Sequence, residues 1–517
     1  MSSSSGSTRR LAPGLFGLLV LCALISSVSA QEPSDECFID QGNTRPGGSF
    51  AFSAWLRQGN CVRGPSSATY EVCRNNLQNQ LENFVDGLHQ QEYSASATVL
   101  ALLPTIGAFV GTPSREIWPL LSIFPFAAVL VLTMSFGGDT TSTNIEDYRA
   151  VLEKKGMKAI DWSGDEQSAD SLVEGGGGWA QQRDRLHTCI AASFERSTKR
   201  IKEQATRDSK ITPARFTILV LIAILFLFGL LGSTMAGMAI LEHGAIYVTW
   251  CTATWWFHAW YIVVTFTAVF DQWIQTPFTK RWTVFITEHS NASNCHEHFD
   301  TPDRSPRPST LRELAASTSP TAFRTALHQC SSLAPPATTT ANPHQTTQLN
   351  IALKINEDRI PTWIALLRFF SKAVGVTIYV FGTSVFAAVA LLALPMSQMI
   401  LVLVMGAGVF SRALAAGLVS LMREQGLAAV LLVCVDQEET ADRLLLQALE
   451  YRGTAEKRVV SEVDGMAWER GECVGRRSRW WRLGLGMLTR PVAGVGELGL
   501  EGQREEKGEG RVDVEPA

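Results

Sequence analysis

The chain lacks the marks of common soluble enzymes. It has no phosphate-binding glycine loop, no nucleophile elbow and no HExxH helix, so kinase, hydrolase and zincin chemistry have no motif to rest on. It also lacks a strong charge of either sign. Lys and Arg number 45 against 49 Asp and Glu, a formal net charge of −4, which provides no electrostatic case for nucleic acid. Histidine is scarce at nine residues. Apart from His258 and the flanking His243 on the same expected helix, none sits in an apolar stretch. Bis-histidine haem ligation needs a second imidazole at similar depth on another helix, so it is excluded and no cofactor is expected.

What the chain has in quantity is apolar sequence in closely spaced runs. They are Ser96 to Gly111 with Ile117 to Phe136, Phe216 to Leu241 with Gly244 to Phe270, and Ala373 to Leu394 with Gln398 to Met422. Helices satisfy their own backbone groups in lipid, so the pattern predicts an all-α polytopic integral membrane protein. It would have about six transmembrane helices in three helical hairpins, with long, partly disordered connectors. Residues 1–30 have the charged start, short apolar core and small-residue cleavage site of a signal peptide, against the alternative of an uncleaved anchor. Residues 31–94 form an exposed cysteine-bearing segment, 95–136 the first hairpin and 137–212 a polar connector containing an amphipathic helix. The second hairpin spans 213–270, followed by a Ser/Thr/Pro-rich, mostly disordered connector at 271–361. The third hairpin spans 362–422, and a mostly disordered tail occupies 423–517.

Three hairpins after a cleaved signal put the N-terminal segment, both connectors and the tail on the luminal or exterior side. Cys37, Cys61, Cys73, Cys189, Cys295 and Cys330 would then share an oxidising compartment, and Asn291 in Asn291-Ala292-Ser293 would be open to glycosylation. The basic residues Arg196, Lys199, Arg200, Lys202, Arg207, Lys210 and Arg215 argue the other way, because cytosolic flanks are usually the basic ones. An odd number of crossings between Ser96 and Phe136 would reconcile the two, with the first run re-entrant.

The segment Leu102 to Leu121 resembles a hairpin in a family of multi-pass membrane proteins of filamentous fungi that has no assigned activity. The matching pieces are Leu103-Pro104-Thr105-Ile106-Gly107-Ala108 and Arg115-Glu116-Ile117-Trp118. The resemblance implies a signal-bearing membrane protein and brings no catalytic or binding residue with it.

Several intramembrane groups are candidates for chemistry. On a helix at 100° per residue, Tyr247, Cys251, Thr254, His258, Tyr261 and Thr265 share a polar stripe opposite Trp256 and Trp260. Such a stripe faces either a transport or proton path or other helices. Arg412 falls near the middle of the sixth run, either in a site or snorkelling to an interface. Gly229, Ser233 and Gly237 recur every four residues, a spacing for close packing within the chain or for a homo-oligomer. Cys295, His296, His298 and Asp300 are metal-ligand types without a closed-site spacing, so no metal is expected. The expected partners are the lipid bilayer and unidentified proteins. The expected function is a non-enzymatic scaffold, sensor or partner-binding component of the cell surface or secretory pathway. The alternative is a transporter or channel subunit using the fourth-run stripe and Arg412.

Overall fold

The computed structural model describes residues 50–65, 67–110, 114–134, 145–154, 157–162, 178–206, 212–275, 278–289, 325, 327, 346–356, 362–453, 457–469 and 471–492. The chain begins with α1 (Phe52–Arg63), α2 (Tyr70–Asn83) and α3 (Gly87–Ala101), then α4 (Leu103–Val110), α5 (Ser114–Ile123), α6 (Pro125–Thr133) and α7 (Ile145–Lys154). Next come β1 (Lys158–Asp161), α8 (Gly178–Thr206), α9 (Pro213–Gly244), β2 (Ile246–Tyr247), α10 (Trp256–Gln275), β3 (Phe278–His289) and β4 (Thr346–Asn356). After α11 (Thr362–Ala387), β5 (Val389–Ala390) and α12 (Leu394–Glu424) follow β6 (Val430–Val435), α13 (Glu438–Leu449), β7 (Arg458–Val463), β8 (Met466–Glu469), β9 (Glu472–Arg476) and α14 (Arg479–Leu485).

Among the described residues, three helices are long and apolar enough to cross a membrane, namely α9, α11 and α12, and the apolar part of α10, Trp256–Phe270, is shorter. Their outward faces carry large apolar side chains, including Ile222 and Leu225 on α9, Phe266 on α10, Phe369 and Val380 on α11, and Val402 and Phe410 on α12. This is the pattern of a membrane protein whose bundle meets lipid. The expectation of six spans does not hold in this form. The first hairpin is built of short helices, pieces of 8, 10 and 9 residues in α4, α5 and α6; α5 runs on through Pro119, and Pro125 starts α6. Each is well short of the ~20 residues needed to span the hydrocarbon core.

The all-α expectation is also corrected. A seven-stranded sheet has the order β1-β6-β4-β3-β7-β8-β9, parallel at β1–β6 and β6–β4 and antiparallel elsewhere. Two of its central strands come from the ends of the 271–361 connector: β3 pairs with β4 from Phe278–Asn356 to His289–Thr346. Four more, β6 to β9, come from the 423–517 segment that was expected to be mostly disordered. Alternation along the strands sorts the two faces. Val284, Ile286, Leu349, Ile351, Leu353, Leu431 and Val433 pack under Leu186, Ile190 and Phe194 of α8 and Leu444 and Leu445 of α13. Phe285, Ala352, Leu432 and Cys434 face the bundle, in one cluster with Ala128, Leu227, Ala407 and Leu418. The amphipathic stripe of α8 thus covers the sheet rather than leading into lipid.

The bundle has two distinct ends. The sheet lies where α9 and α11 begin and where α10 and α12 finish. The opposite, or cap, end holds the β2–β5 ribbon, with Ile246 opposite Ala390, and helices α1 to α3 around it. The chain then passes the bundle once, from Glu92 of α3, whose Oε1 accepts from Leu394 N at the start of α12, to Ser122 of α5, whose carbonyl accepts from Asn350 of β4. Helix α6 dips back into the bundle, where Thr133 O accepts from Tyr261 OH at 2.7 Å, and α7 returns beside α5 and β1. The N-terminal helices and the connectors are therefore at opposite ends, not on one side. The second apolar run, not the first, is the one that turns back.

Candidate functional site

The intramembrane residues singled out by sequence separate on folding. Tyr247 lies in β2, and Cys251 and Thr254 lie in the turn before α10 starts at Trp256, so they share no helix face with His258 and Tyr261. Cys251 forms a disulfide with Cys73 of α2, Cα to Cα 5.8 Å, which places it in the cap rather than at bilayer depth. Cys61 is also disulfide-bonded. Cys189 is a free, half-buried thiol at the sheet end, 3.4 Å from Lys158 Nζ. Cys37, Cys295, Cys330 and Asn291 lie outside the described residues.

His258 is held at the cap end. Its Nδ1 is 2.7 Å from Glu242 Oε2, and Glu242 Oε1 accepts from the backbone N–H of Phe257 at 2.7 Å and of His258 at 3.1 Å. Glu242, the last acid of α9, thereby caps the first turn of α10, where free N–H groups and the helix dipole favour a carboxylate. Arg63 of α1 answers at the other polarity: its guanidinium donates to His243 O at 2.6 Å and to the carbonyls of Glu242 and Ala245, closing the C-terminus of α9. Burial pulls the Arg63 pKa down to about 10, opposed by the charge of Glu242, so it stays protonated at neutral pH. Trp55 Nε1 donates to Leu391 O at 2.7 Å, next to the ribbon.

The rest of the α10 stripe faces protein. The Tyr261 hydroxyl and the Thr265 hydroxyl, at 2.7 Å and 3.5 Å, converge on Thr133 O of α6, while Trp260 packs edge-on against Phe386 and over Gly382 of α11. Arg412 is half-buried about eighteen residues into α12, roughly 27 Å from its cap end. The fold does not bring Arg412 and His258 together. In the small-residue stripe, only Gly237 is buried, against Leu403 and Ile400 of α12; Gly229 and Ser233 are exposed.

The second polar centre is at the sheet end. An open cavity of about 370 Å³ lies between the bundle-facing side of the sheet, the α5–α6 corner and α14. Trp118, Leu121, Phe285 and Leu483 form its apolar walls; Thr283, Asn350, Lys354, Glu462 and Arg482 line its polar side. Glu462 is 2% exposed, and Arg482 donates Nη2 to its Oε1 at 2.7 Å and Nε to its Oε2 at 2.9 Å. Arg477 adds a contact at 3.2 Å and Val492 N one at 3.3 Å. Burial alone would raise the Glu462 carboxyl, but the charge and hydrogen bonds of Arg482, with help from Arg477, hold it below the usual carboxylate value. The Arg482 guanidinium also sits 4.5 Å over the Phe285 ring, and Lys354 sits 5.4 Å from the Trp118 ring.

Two polar atoms in this wall have no protein partner: Asn350 Oδ1, on a side chain whose Nδ2 is spent on Ser122 O at 2.7 Å, and Thr283 Oγ1. An unmet buried acceptor costs roughly 1–3 kcal/mol, and both atoms lie just behind the cavity's surface. The cavity is within the size range of small-molecule sites. Of its apolar lining, Leu121 on α5 and Leu483 on α14 are exposed, and Phe126 on α6 and Trp480 and Trp481 on α14 are exposed as well. Tryptophans flanked by arginines are the composition of a helix lying at a membrane interface. Among the described residues no group of three or more His, Cys, Asp or Glu is arranged to hold a metal ion.

No family model, curated protein or solved structure matches the chain.

The sequence reading missed Arg63, Glu92 and Glu242 at the cap and Asn350, Glu462 and Arg482 at the sheet. Glu242 did carry a signal, as the only acid at the end of a 26-residue apolar run from Phe216 to Leu241. Asn350 and Glu462 carried none, because their significance depends on strands that pair across long separations.

Proposed function

We propose that the chain is a sensor or partner-binding component of a plasma or secretory-pathway membrane, and that its ligand is an amphiphile drawn from the adjoining leaflet. The cavity between the sheet and the α5–α6 corner carries this reading. It joins exposed apolar side chains, Leu121 and Leu483, to a polar wall of the sheet. The charges of the lining balance, Glu462 and Asp464 against Arg482 and Lys354, so the wall favours a neutral or zwitterionic head with hydroxyl or amino groups. A monoacylglycerol has that chemistry. With full chain in phosphatidylcholine nanodiscs, a fluorescent monoacylglycerol should bind saturably, and Leu121→Trp, which fills the mouth, should weaken it about tenfold. Equal binding by wild type, Leu121→Trp and Asn350→Leu would remove the amphiphile reading.

In this reading the cap is luminal and the sheet cytosolic. The Cys73–Cys251 disulfide suits an oxidising side, and the basic flank of α9 suits the cytosol. A glycosylation site created in α3 by Leu88→Asn with Gln90→Thr should be used in microsomes, while Asn291, two residues after β3 in the sequence, should stay unmodified. The reverse pattern would invert the orientation.

A further inference from the structure

Helix α14 is built inside out. Arg482 is only 7% exposed, and its guanidinium is spent on Glu462, Gln348 and the carbonyls of Gly486 and Thr489. Trp480 and Trp481, beside it in sequence, are 80% and 60% exposed, and Leu483 is exposed as well. At 100° per residue, Arg482 and Leu485 take the inner side and Trp480, Trp481 and Leu483 the outer. Leu485 accordingly packs against the core that the sheet shares with the bundle. A helix facing water turns its charges out and its rings in. The reverse arrangement suits a surface that meets hydrocarbon.

The seat of α14 continues the lipid-facing surface of the bundle. The turn after it is pressed onto the α5–α6 corner, where a side chain at Gly486, whose φ is +53°, would meet Ile123 O and Pro125. Phe126, the next residue of α6, is exposed, and its ring lies 6.1 Å from that of Phe228 on α9. Phe228 stands fourteen residues before Glu242 of the cap, about 21 Å along the helix, which is within the ~30 Å of a hydrocarbon core.

The tryptophans give a second measure of that level. Among the described residues the exposed ones are Trp250 and Trp255 at the cap end and Trp363, Trp480 and Trp481 at the sheet end. The Trp250 ring is 6.1 Å from that of Phe381 near the end of α11, and Trp363 is the second residue of the same helix. Trp363 and Phe381 are eighteen residues apart, about 27 Å, again close to the thickness of the hydrocarbon core. Tryptophan collects at both membrane–water interfaces. The two groups therefore mark the two faces of the bilayer, and α14 supplies two of the rings at the sheet end.

We propose that α14 docks on the bilayer, with the Trp480 and Trp481 rings lodged among the head groups and upper acyl chains, so that the sheet is held to the membrane by a contact of its own besides the spanning helices. The occupant of this face is phospholipid. Arg477 and Arg482 turn inward to Glu462, so the contact is made by rings and needs no anionic lipid. It does not rest on the amphiphile reading: its test contains no monoacylglycerol, and an empty cavity leaves the expected result unchanged.

The test places full chain in phosphatidylcholine nanodiscs whose acyl chains carry bromine either just below the head groups or near the chain ends. Emission of the wild type is compared with that of Trp480→Phe with Trp481→Phe. The rings removed are exposed, so the fold survives their loss, and each can also be removed singly. The difference emission should be blue-shifted from indole in water, quenched most by bromine below the head groups, and unchanged in high salt. Trp363→Phe should give a difference of the same kind. Trp468→Phe, which removes a ring buried in the sheet, should give one that neither bromolipid quenches. A difference emission at the position of indole in water, quenched by aqueous acrylamide, overturns the proposal. So does a blue-shifted difference that neither bromolipid quenches, which assigns the face to protein, a second copy of this chain included. Strongest quenching by chain-end bromine overturns the interfacial placement.

Discussion

At the cap end the buried carboxylate Glu242 is surrounded by backbone: two N–H groups of α10 and the His258 ring hold it, while Arg63 takes the carbonyls of the same helix end. At the sheet end the buried carboxylate Glu462 is held by side chains, chiefly Arg482 and Arg477. The two arrangements have different consequences. Groups that terminate helices tie α1 to α9, α9 to α10 and α3 to α12 at the cap, although Arg63 Nε, Gln58 Oε1 and Tyr247 OH there are left without a partner. A side-chain pair leaves the neighbouring wall free to keep a cavity, and there Asn350 Oδ1 and Thr283 Oγ1 remain unmet. A cavity beside a compensated charge is the reason for assigning binding to the sheet end.

Removing the cap's covalent tie should have the largest effect. Cys73→Ser with Cys251→Ser opens a cross-link spanning 178 residues and should cost up to about 5 kcal/mol, read as a lower Tm and early proteolysis at α1 to α3. The sheet should keep its protease resistance; simultaneous loss of both ends would mean that they are one cooperative unit and would blur the contrast. Next in size, Arg482→Ala strands the Glu462 charge and should cost about 3–5 kcal/mol by denaturant titration, whereas Arg482→Met with Glu462→Gln should recover most of it. If Arg482→Ala were silent, the side-chain pair would not be what organises that end.

The smallest effect is a pH dependence confined to the sheet end. Burial, aided by the Arg458 charge, lowers the His289 pKa to about 4, below the ordinary 6.5. The unfolded chain therefore binds more protons between those values. Stability is complete above pH 6.5 and falls as the pH drops towards 4, by roughly 3 kcal/mol at most. Glu462, also depressed, contributes a further loss only below the usual carboxylate range. His289→Gln should flatten the slope between pH 6.5 and 4 in a melting series, and an unchanged slope would assign it elsewhere.

Much of the bundle was legible in the sequence, and almost none of the sheet. The lipid-facing runs of α9, α11 and α12 announce themselves by length and composition, and Leu186, Ile190 and Phe194 showed an amphipathic helix without showing what it covers. The polar stripe of the fourth run was legible only from His258 onward, because periodicity cannot tell that a disulfide and a two-residue ribbon delay the helix to Trp256. The first hairpin looked like two spans because apolar composition continues across helices that are each too short to span.

By itself the sequence determined that this chain enters a membrane: in hydrocarbon, backbone groups must bond within their own segment, so a long apolar run leaves few alternatives to a helix. It also determined where basic residues cluster beside α9. Only tertiary structure decided that β4 and β6 become parallel neighbours across two membrane helices, that Cys73 meets Cys251, and that the cap and the sheet lie at opposite ends. Strand pairing and disulfide choice are contacts between distant segments, and their stabilisation comes from partners that no local pattern names.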